Sequence, residues 1–167
     1  LTAIAGQIQS GVPFINVVIA NSGTMGPTLE ALPKDHIPSI EEFHSFLWST
    51  SMETFNETFM INSTSMFYTM LAFLPLLDAG NKHPSSPTVT TGVKSQFIVT
   101  SSIGAFSRRP EAGFAYAGSK AAVIHMMKQM STNFVPYHIR ANVIAPGIYP
   151  SDMSTVSVSV FREVYYY

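Results

Sequence analysis

Tyr116 and Lys120 stand four residues apart in Tyr-Ala-Gly-Ser-Lys. On a helix this spacing stacks the two side chains one turn apart on the same face, so an ammonium can sit beside a phenol. A free phenol has a pKa of about 10 and handles protons poorly at neutral pH, whereas a fixed positive charge nearby favours its phenolate. Bringing such a group into the working range takes about 4 kcal/mol of differential stabilisation, attainable in a partly dry site. The pair Ser101-Ser102 lies upstream and Pro146-Gly147 downstream. This set of residues suits the movement of a proton onto or off an alcohol. A lysine four positions after one of seven tyrosines also arises by chance, so weight falls on the neighbouring residues.

The elements that must position these groups are legible from apolar periodicity. Residues 1–10 read as the tail of a helix ended by Gly11 and Pro13, and residues 14–20, rich in β-branched side chains, as a buried parallel strand. Asn21-Ser22-Gly23 breaks that strand with small polar residues, the kind of strand end at which open α/β sheets bind ligands. Residues 26–39 form a loop. Ser39 with Glu41 and Glu42 starts a short helix that runs to Trp48. A longer helix covers residues 52–77, with Phe55, Phe59, Met66, Met70, Phe73 and Leu74 largely at helical spacing as core or interface. Residues 78–95 read as a loop of Gly, Pro, Ser, Thr and Lys. A strand over residues 96–100 runs into Ser101-Ser102, a helix over 113–134 carries Tyr116 and Lys120, and a third strand over 139–145 is closed by Pro146-Gly147. Strand, helix, strand, helix, strand with right-handed crossovers predicts a parallel α/β sheet.

Composition bounds the rest. The chain has 167 residues, enough for one domain and too few for two of ordinary size. Hydrophobic residues make up 46% and charged residues 11%, against about a quarter charged in a typical soluble domain. Much of the surface is therefore expected to be covered by a second subunit, a cofactor or further parts of a larger domain. A net charge of −1 and the absence of a Lys/Arg cluster exclude a nucleic-acid or anionic-membrane partner. The absence of cysteine removes disulfides and thiolate chemistry and fits a reducing compartment. His36, His44, His83, His125 and His138 are scattered without metal-ligand spacing. No secretory signal opens the chain, and the longest apolar stretch, residues 70–77, is interrupted by Pro75 and falls below the ~18 residues of a membrane span. A soluble, cytoplasmic protein is expected.

Taken in order, Asn21-Ser22-Gly23, Asn62 within Phe59-Met60-Ile61-Asn62, Ser101-Ser102, Tyr116-x-x-x-Lys120, and Ile139-Arg140-Ala141-Asn142 running into Pro146-Gly147 resemble the short-chain dehydrogenase/reductase family. Order and spacing agree from about residue 14 to about residue 153. The resemblance implies a partial Rossmann-like, doubly wound parallel sheet, here of three strands with flanking helices. It also implies NAD or NADP as cofactor and hydride exchange with a small-molecule carbonyl or alcohol substrate. Tyr116 is then the acid/base, and Lys120 makes it more acidic and hydrogen-bonds the nicotinamide ribose. Ser102 holds the substrate oxygen, with Ser101 as the alternative because the interval from Ser102 to Tyr116 is one residue longer than the family's. Asn62 matches the asparagine that bends its helix and holds a water in a proton relay behind the lysine. A solvent-facing Asn62 is the plainer alternative.

Asn21 matches the second asparagine of the family's Asn-Asn-Ala-Gly turn, with Ala20 in place of the first and Ser22 in place of the alanine. Gly23 lets the backbone approach the cofactor. Pro146 and Gly147 lead into residues 148–153, which resemble the segment contacting the nicotinamide carboxamide, Tyr149 through its backbone and Ser151 in place of the usual threonine. The family's glycine-rich pyrophosphate turn has no counterpart. Residues 1–167 are thus expected to be a single, incomplete NAD(P)-binding domain lacking the glycine-rich N-terminal half and the last strand. The helices over 52–77 and 113–134 match those through which the family commonly pairs as a homo-oligomer. That leaves two functional readings, an oxidoreductase and a catalytically silent interaction module.

Overall fold

The computed structural model describes residues 2–108 and 113–148. Within them a three-stranded parallel sheet runs in the order β1 (Val17–Ala20), β2 (Gln96–Thr100), β3 (Arg140–Ile144). Val17 pairs with Gln96, and Gln96 in turn with Arg140. Helix α1 (Thr2–Gly11) precedes β1. Between β1 and β2 come α2 (Ile40–Trp48), α3 (Met52–Phe59), a π-turn at Met60–Thr64, α4 (Ser65–Lys82) and the short α5 (Pro87–Thr91). Helix α6 (Phe114–Asn133) joins β2 to β3.

Side chains alternate across a strand, and only one face of this sheet is packed among the described residues. Phe97 and Val99 of β2 are fully buried, and they form one core with Ala20, Met66, Met70 and Leu77 on one side and Val123, Met127 and Met130 on the other. Helices α4 and α6 therefore lie side by side on that face. The opposite positions of β1 are open, with Val17 46% and Ile19 60% exposed. The strand expected to be buried is thus buried on one face. It is also shorter than residues 14–20, because the incoming backbone is held elsewhere: the Ile15 N–H donates to the Leu76 carbonyl of α4 at 3.0 Å.

The start of α2 follows the sequence signal. The Glu42 N–H donates to Ser39 Oγ and the Ser39 N–H donates to the Glu42 carboxylate, a complete capping box. The reading of residues 52–77 as one helix is extended and reshaped. The helix is continuous from Met52 to Lys82, with Pro75 inside it and a π-turn in the middle where the Ser65 N–H reaches the Met60 carbonyl. The apolar stretch interrupted at Pro75 is expected to fall short of a membrane span, yet because the helix continues through Pro75 it contains an 18-residue window apolar enough to qualify. Length and composition alone would let that helix cross a membrane; here Met66, Met70, Leu76 and Leu77 are buried in the fold.

Residues 78–95 are not the loop expected. Beyond the end of α4, Ser86 caps α5 with Pro87 at its first position, and Gly92 closes it in the left-handed region at φ 73°. Ser86, Thr88 and Ser95 are buried there, and Thr88 Oγ1 donates to the Gly80 carbonyl. Short polar residues read as loop because the partners they bond are remote in sequence: Asn16 Nδ2 donates to Ser86 Oγ at 2.9 Å across 70 positions.

Candidate active site

The site assembles at the carboxyl ends of the strands. After Thr100, the Ser101 N–H continues the ladder to the Ile144 carbonyl at 2.7 Å and the Ile103 N–H reaches the Pro146 carbonyl at 3.0 Å. Pro146-Gly147 is thereby laid alongside Ser101–Ile103, and the Gly147 position faces the Ile103 side chain. The end of β1 is tied in by Asn21, whose Oδ1 accepts from Thr100 Oγ1 at 2.8 Å. Two neighbouring serines then part company. Ser101 is buried and its hydroxyl donates to the Lys120 carbonyl at 2.8 Å. Ser102 is partly exposed, extended at φ −163°, and accepts from the Gly104 N–H at 3.0 Å, which leaves its own O–H to donate. Gly104 shows where that hydroxyl lies: a Cβ built there would stand 3.2 Å from Ser102 Oγ and 3.5 Å from Cε1 of Tyr116. Ser102 and the Tyr116 ring thus border one spot.

Helix α6 begins at Phe114 because Gly113, at φ 75°, turns the chain into it where a side chain would meet the Pro27 carbonyl. Tyr116 is 9% and Lys120 3% exposed, and the Lys120 ammonium lies 5.8 Å from the Tyr116 ring centroid. The four-residue spacing has placed both on the inward face, as expected. Lys120 Nζ donates to the Thr100 carbonyl at 2.9 Å, and among the described residues no carboxylate pairs with it. Burial pushes its ammonium below the ordinary lysine range.

Gly23 completes the enclosure. A Cβ there would come within 3.2 Å of both Lys120 Nζ and Asn62 Oδ1, so the turn after β1 approaches the lysine only because the residue is glycine. Asn62 sits in the π-turn and is fully buried, which removes the solvent-facing alternative. A π-turn inserts one residue into the helical repeat and re-aims the side chains around it. Asn62 Oδ1 accepts from the Thr24 N–H at 2.8 Å, while Nδ2 donates to the Thr24 carbonyl at 2.9 Å and to Ser119 Oγ at 3.0 Å.

Asn21, Gly23, Asn62, Ser102, Tyr116, Lys120, Pro146 and Gly147 are therefore drawn to one end of the sheet from elements up to 126 positions apart (147 − 21). Tyr149 and Ser151 lie outside the described residues. Sequence reasoning missed Thr24, Thr100, Gly104 and Ser119. For Ser119 a signal existed, since a residue three positions after Tyr116 shares its helix face; the backbone contacts of Thr24 and Thr100 carry none.

This arrangement of strand ends, π-turn and Tyr-Lys helix has relatives among known proteins. The chain matches the short chain dehydrogenase family over residues 1–159. It is 45% identical over 152 residues to the short-chain dehydrogenase/reductase SAT3 of Stachybotrys chartarum, covering 86% of this chain and 55% of that protein. It is 42% identical over 166 residues to the short-chain dehydrogenase/reductase PhomF of Diaporthe leptostromiformis, covering 98% of this chain and 54% of that protein. A Pseudomonas aeruginosa structure, the RhlG/NADP active-site complex, superposes with a TM-score of 0.71 at 24% identity, over 95% of this chain and 52% of that one, and shares the fold. The chain belongs to the short-chain dehydrogenase/reductase family. It spans about half the length of the curated relatives it matches.

Proposed function

We propose that the protein is an NAD- or NADP-dependent oxidoreductase that interconverts a carbonyl and an alcohol, with Tyr116 as its acid and base. The observation that carries this reading is Lys120, a buried ammonium beside the Tyr116 ring with one protein acceptor among the described residues. An ammonium has three donors, so Lys120 retains donors for the hydroxyls of a ligand. The absence of a side chain at Gly23 lets the turn after β1 lie close to Nζ. These features fit a nicotinamide ribose, and the NADP complex of the P. aeruginosa relative supports a dinucleotide. When bound, the nicotinamide would supply or accept the hydride.

The chain's own residues handle the proton. In reduction the phenol of Tyr116 gives its proton to the substrate oxygen, and the Lys120 charge favours the phenolate left behind. Ser102, with its O–H free to donate and bordering the same spot as the ring, holds that oxygen. Ser101 is engaged with the Lys120 carbonyl, which favours Ser102 of the two. Asn21 and Gly23 shape the cofactor side, with Pro146 and Gly147 opposite across the end of β2. Pairing with a second copy through α4 and α6 is supported by Phe67 and Leu71, 37% and 43% exposed on the outer side of the helix pair.

The test is steady-state turnover of NADH and NADPH by the intact protein with a panel of small apolar carbonyls and alcohols. Tyr116→Phe is expected to abolish turnover while the nicotinamide fluorescence titration stays close to that of the parent. Normal turnover in the variant removes Tyr116 from this role.

A further inference from the structure

Three buried hydroxyls bond the carbonyls of Tyr116, Ser119 and Lys120 in the first two turns of α6. Ser119 Oγ donates to the Tyr116 carbonyl at 2.7 Å, Ser63 Oγ donates to the Ser119 carbonyl at 2.8 Å, and Ser101 Oγ donates to the Lys120 carbonyl at 2.8 Å. All three serines are buried, Ser119 completely. Ser63 and Ser101 act from outside on carbonyls that α6 presents to them. Ser119 differs, because its hydroxyl also accepts from Asn62 Nδ2 at 3.0 Å. It is therefore a two-sided link with the π-turn on one side and the Tyr116 backbone on the other.

The same asparagine clamps both polar atoms of the Thr24 backbone. Thr24 follows Gly23, whose missing side chain admits Lys120 Nζ. The contacts run without a break from the turn after β1, through Asn62 and Ser119, to the turn of α6 that carries Tyr116 and Lys120. Both protons on Asn62 Nδ2 are engaged, one by Thr24 and one by Ser119. Removal of the serine hydroxyl leaves one of them buried without an acceptor, and the amide must then turn away or admit water.

We propose that Ser119 is a positioning residue: its hydroxyl locks α6 to the π-turn through Asn62 and so keeps the Lys120 ammonium enclosed between Gly23, Thr100 and the Tyr116 ring. It touches neither substrate nor cofactor. The part that concerns turnover rests on the functional reading above; the part that concerns Lys120 does not.

The test compares Ser119→Ala with Ser63→Ala in the full chain. The second substitution deletes a buried hydroxyl that also joins the π-turn to α6, at the Ser119 carbonyl, while leaving the hydrogen-bond partners of the Asn62 amide in place. Lys120 is labelled with a small amine reagent, and its rate is read by mass spectrometry against Lys128, exposed on the same helix. Ser119→Ala is expected to label Lys120 roughly tenfold faster than the parent, with Ser63→Ala close to the parent. In turnover, Ser119→Ala is expected to lower kcat by roughly tenfold to a hundredfold with KM little changed, as a misplaced acid does.

An unchanged Lys120 labelling rate in Ser119→Ala, or an equal rise in Ser63→Ala, overturns the proposal. Should Ser119→Ala not fold by circular dichroism, Ser119→Cys keeps the volume with a weak donor and acceptor and is judged by the same comparison. A parent protein that turns over no substrate refutes the oxidoreductase reading, while the labelling comparison still decides the role of Ser119.

Discussion

Replacing Lys120 by methionine separates what the ammonium does for chemistry from what it does to the fold. The side chain is 3% exposed, its one acceptor among the described residues is the Thr100 carbonyl at 2.9 Å, and no carboxylate there offsets the charge. Removing an ion from water costs several kcal/mol even after relaxation, and a hydrogen bond to a charged group contributes about 1.5–3 kcal/mol in return. Methionine keeps most of the stem and fills the same space without the charge. On that balance Lys120→Met is expected to stabilise the chain by about 1–3 kcal/mol near neutral pH, while turnover by the intact protein is lost.

The pH dependence makes the prediction specific. Burial lowers the folded-state pKa of Lys120 from its ordinary 10.5. Between the two values the unfolded chain binds the additional proton, so the parent gains stability as pH rises through that window. The methionine variant has no such gain. Its advantage is full below the folded pKa of Lys120 and shrinks as pH approaches 10.5. Urea unfolding of both chains from about pH 6 to about pH 10 measures the difference. A variant less stable than the parent at neutral pH, or a difference that stays flat across the range, refutes the picture of Lys120 as a desolvated ion held for function.

Other substitutions probe the remaining contacts. Ser101→Ala removes a buried bond to the Lys120 carbonyl and is expected to destabilise by about 1–3 kcal/mol. Ser102→Ala is expected to leave the unfolding midpoint nearly unchanged and to lower kcat by roughly a hundredfold, and the reverse pattern would exchange the two serines. Gly80→Ala drives a methyl into the Ile15 carbonyl and Ser95 Oγ, and a drop in thermal midpoint equivalent to at least about 2 kcal/mol is expected. Ser39→Ala loses the α2 capping box and is expected to cost about 1 kcal/mol in urea unfolding.

Element type and order were readable wherever one local pattern dominated. The Ser39 and Glu42 pairing announced α2, and the apolar run of β2 was bounded correctly at Gln96–Thr100 because polar or small residues flank it. Residues 78–95 misled, since Ser86, Thr88 and Ser95 are turn formers by type and became interior only through contact with Gly80 and Asn16. Pro75 lies inside the helix read over residues 52–77, and the helix runs on past that reading to Lys82, packed through Leu76 and Leu77.

By itself the order of residues determined that a phenol and an ammonium share a helix face, that serines end one strand and that a glycine ends another, because helical and extended periodicities are properties of the local chain. Which serine faces the ring, that the π-turn folds Asn62 inward onto Thr24 and Ser119, and that Lys120 is enclosed with a backbone carbonyl were decided only when α3, α4 and α6 packed against the strand ends. All of these contacts but the bond between Gly104 and Ser102 join positions 19 to 57 residues apart, and their distances follow from how the elements pack rather than from the spacing of residues along any one of them.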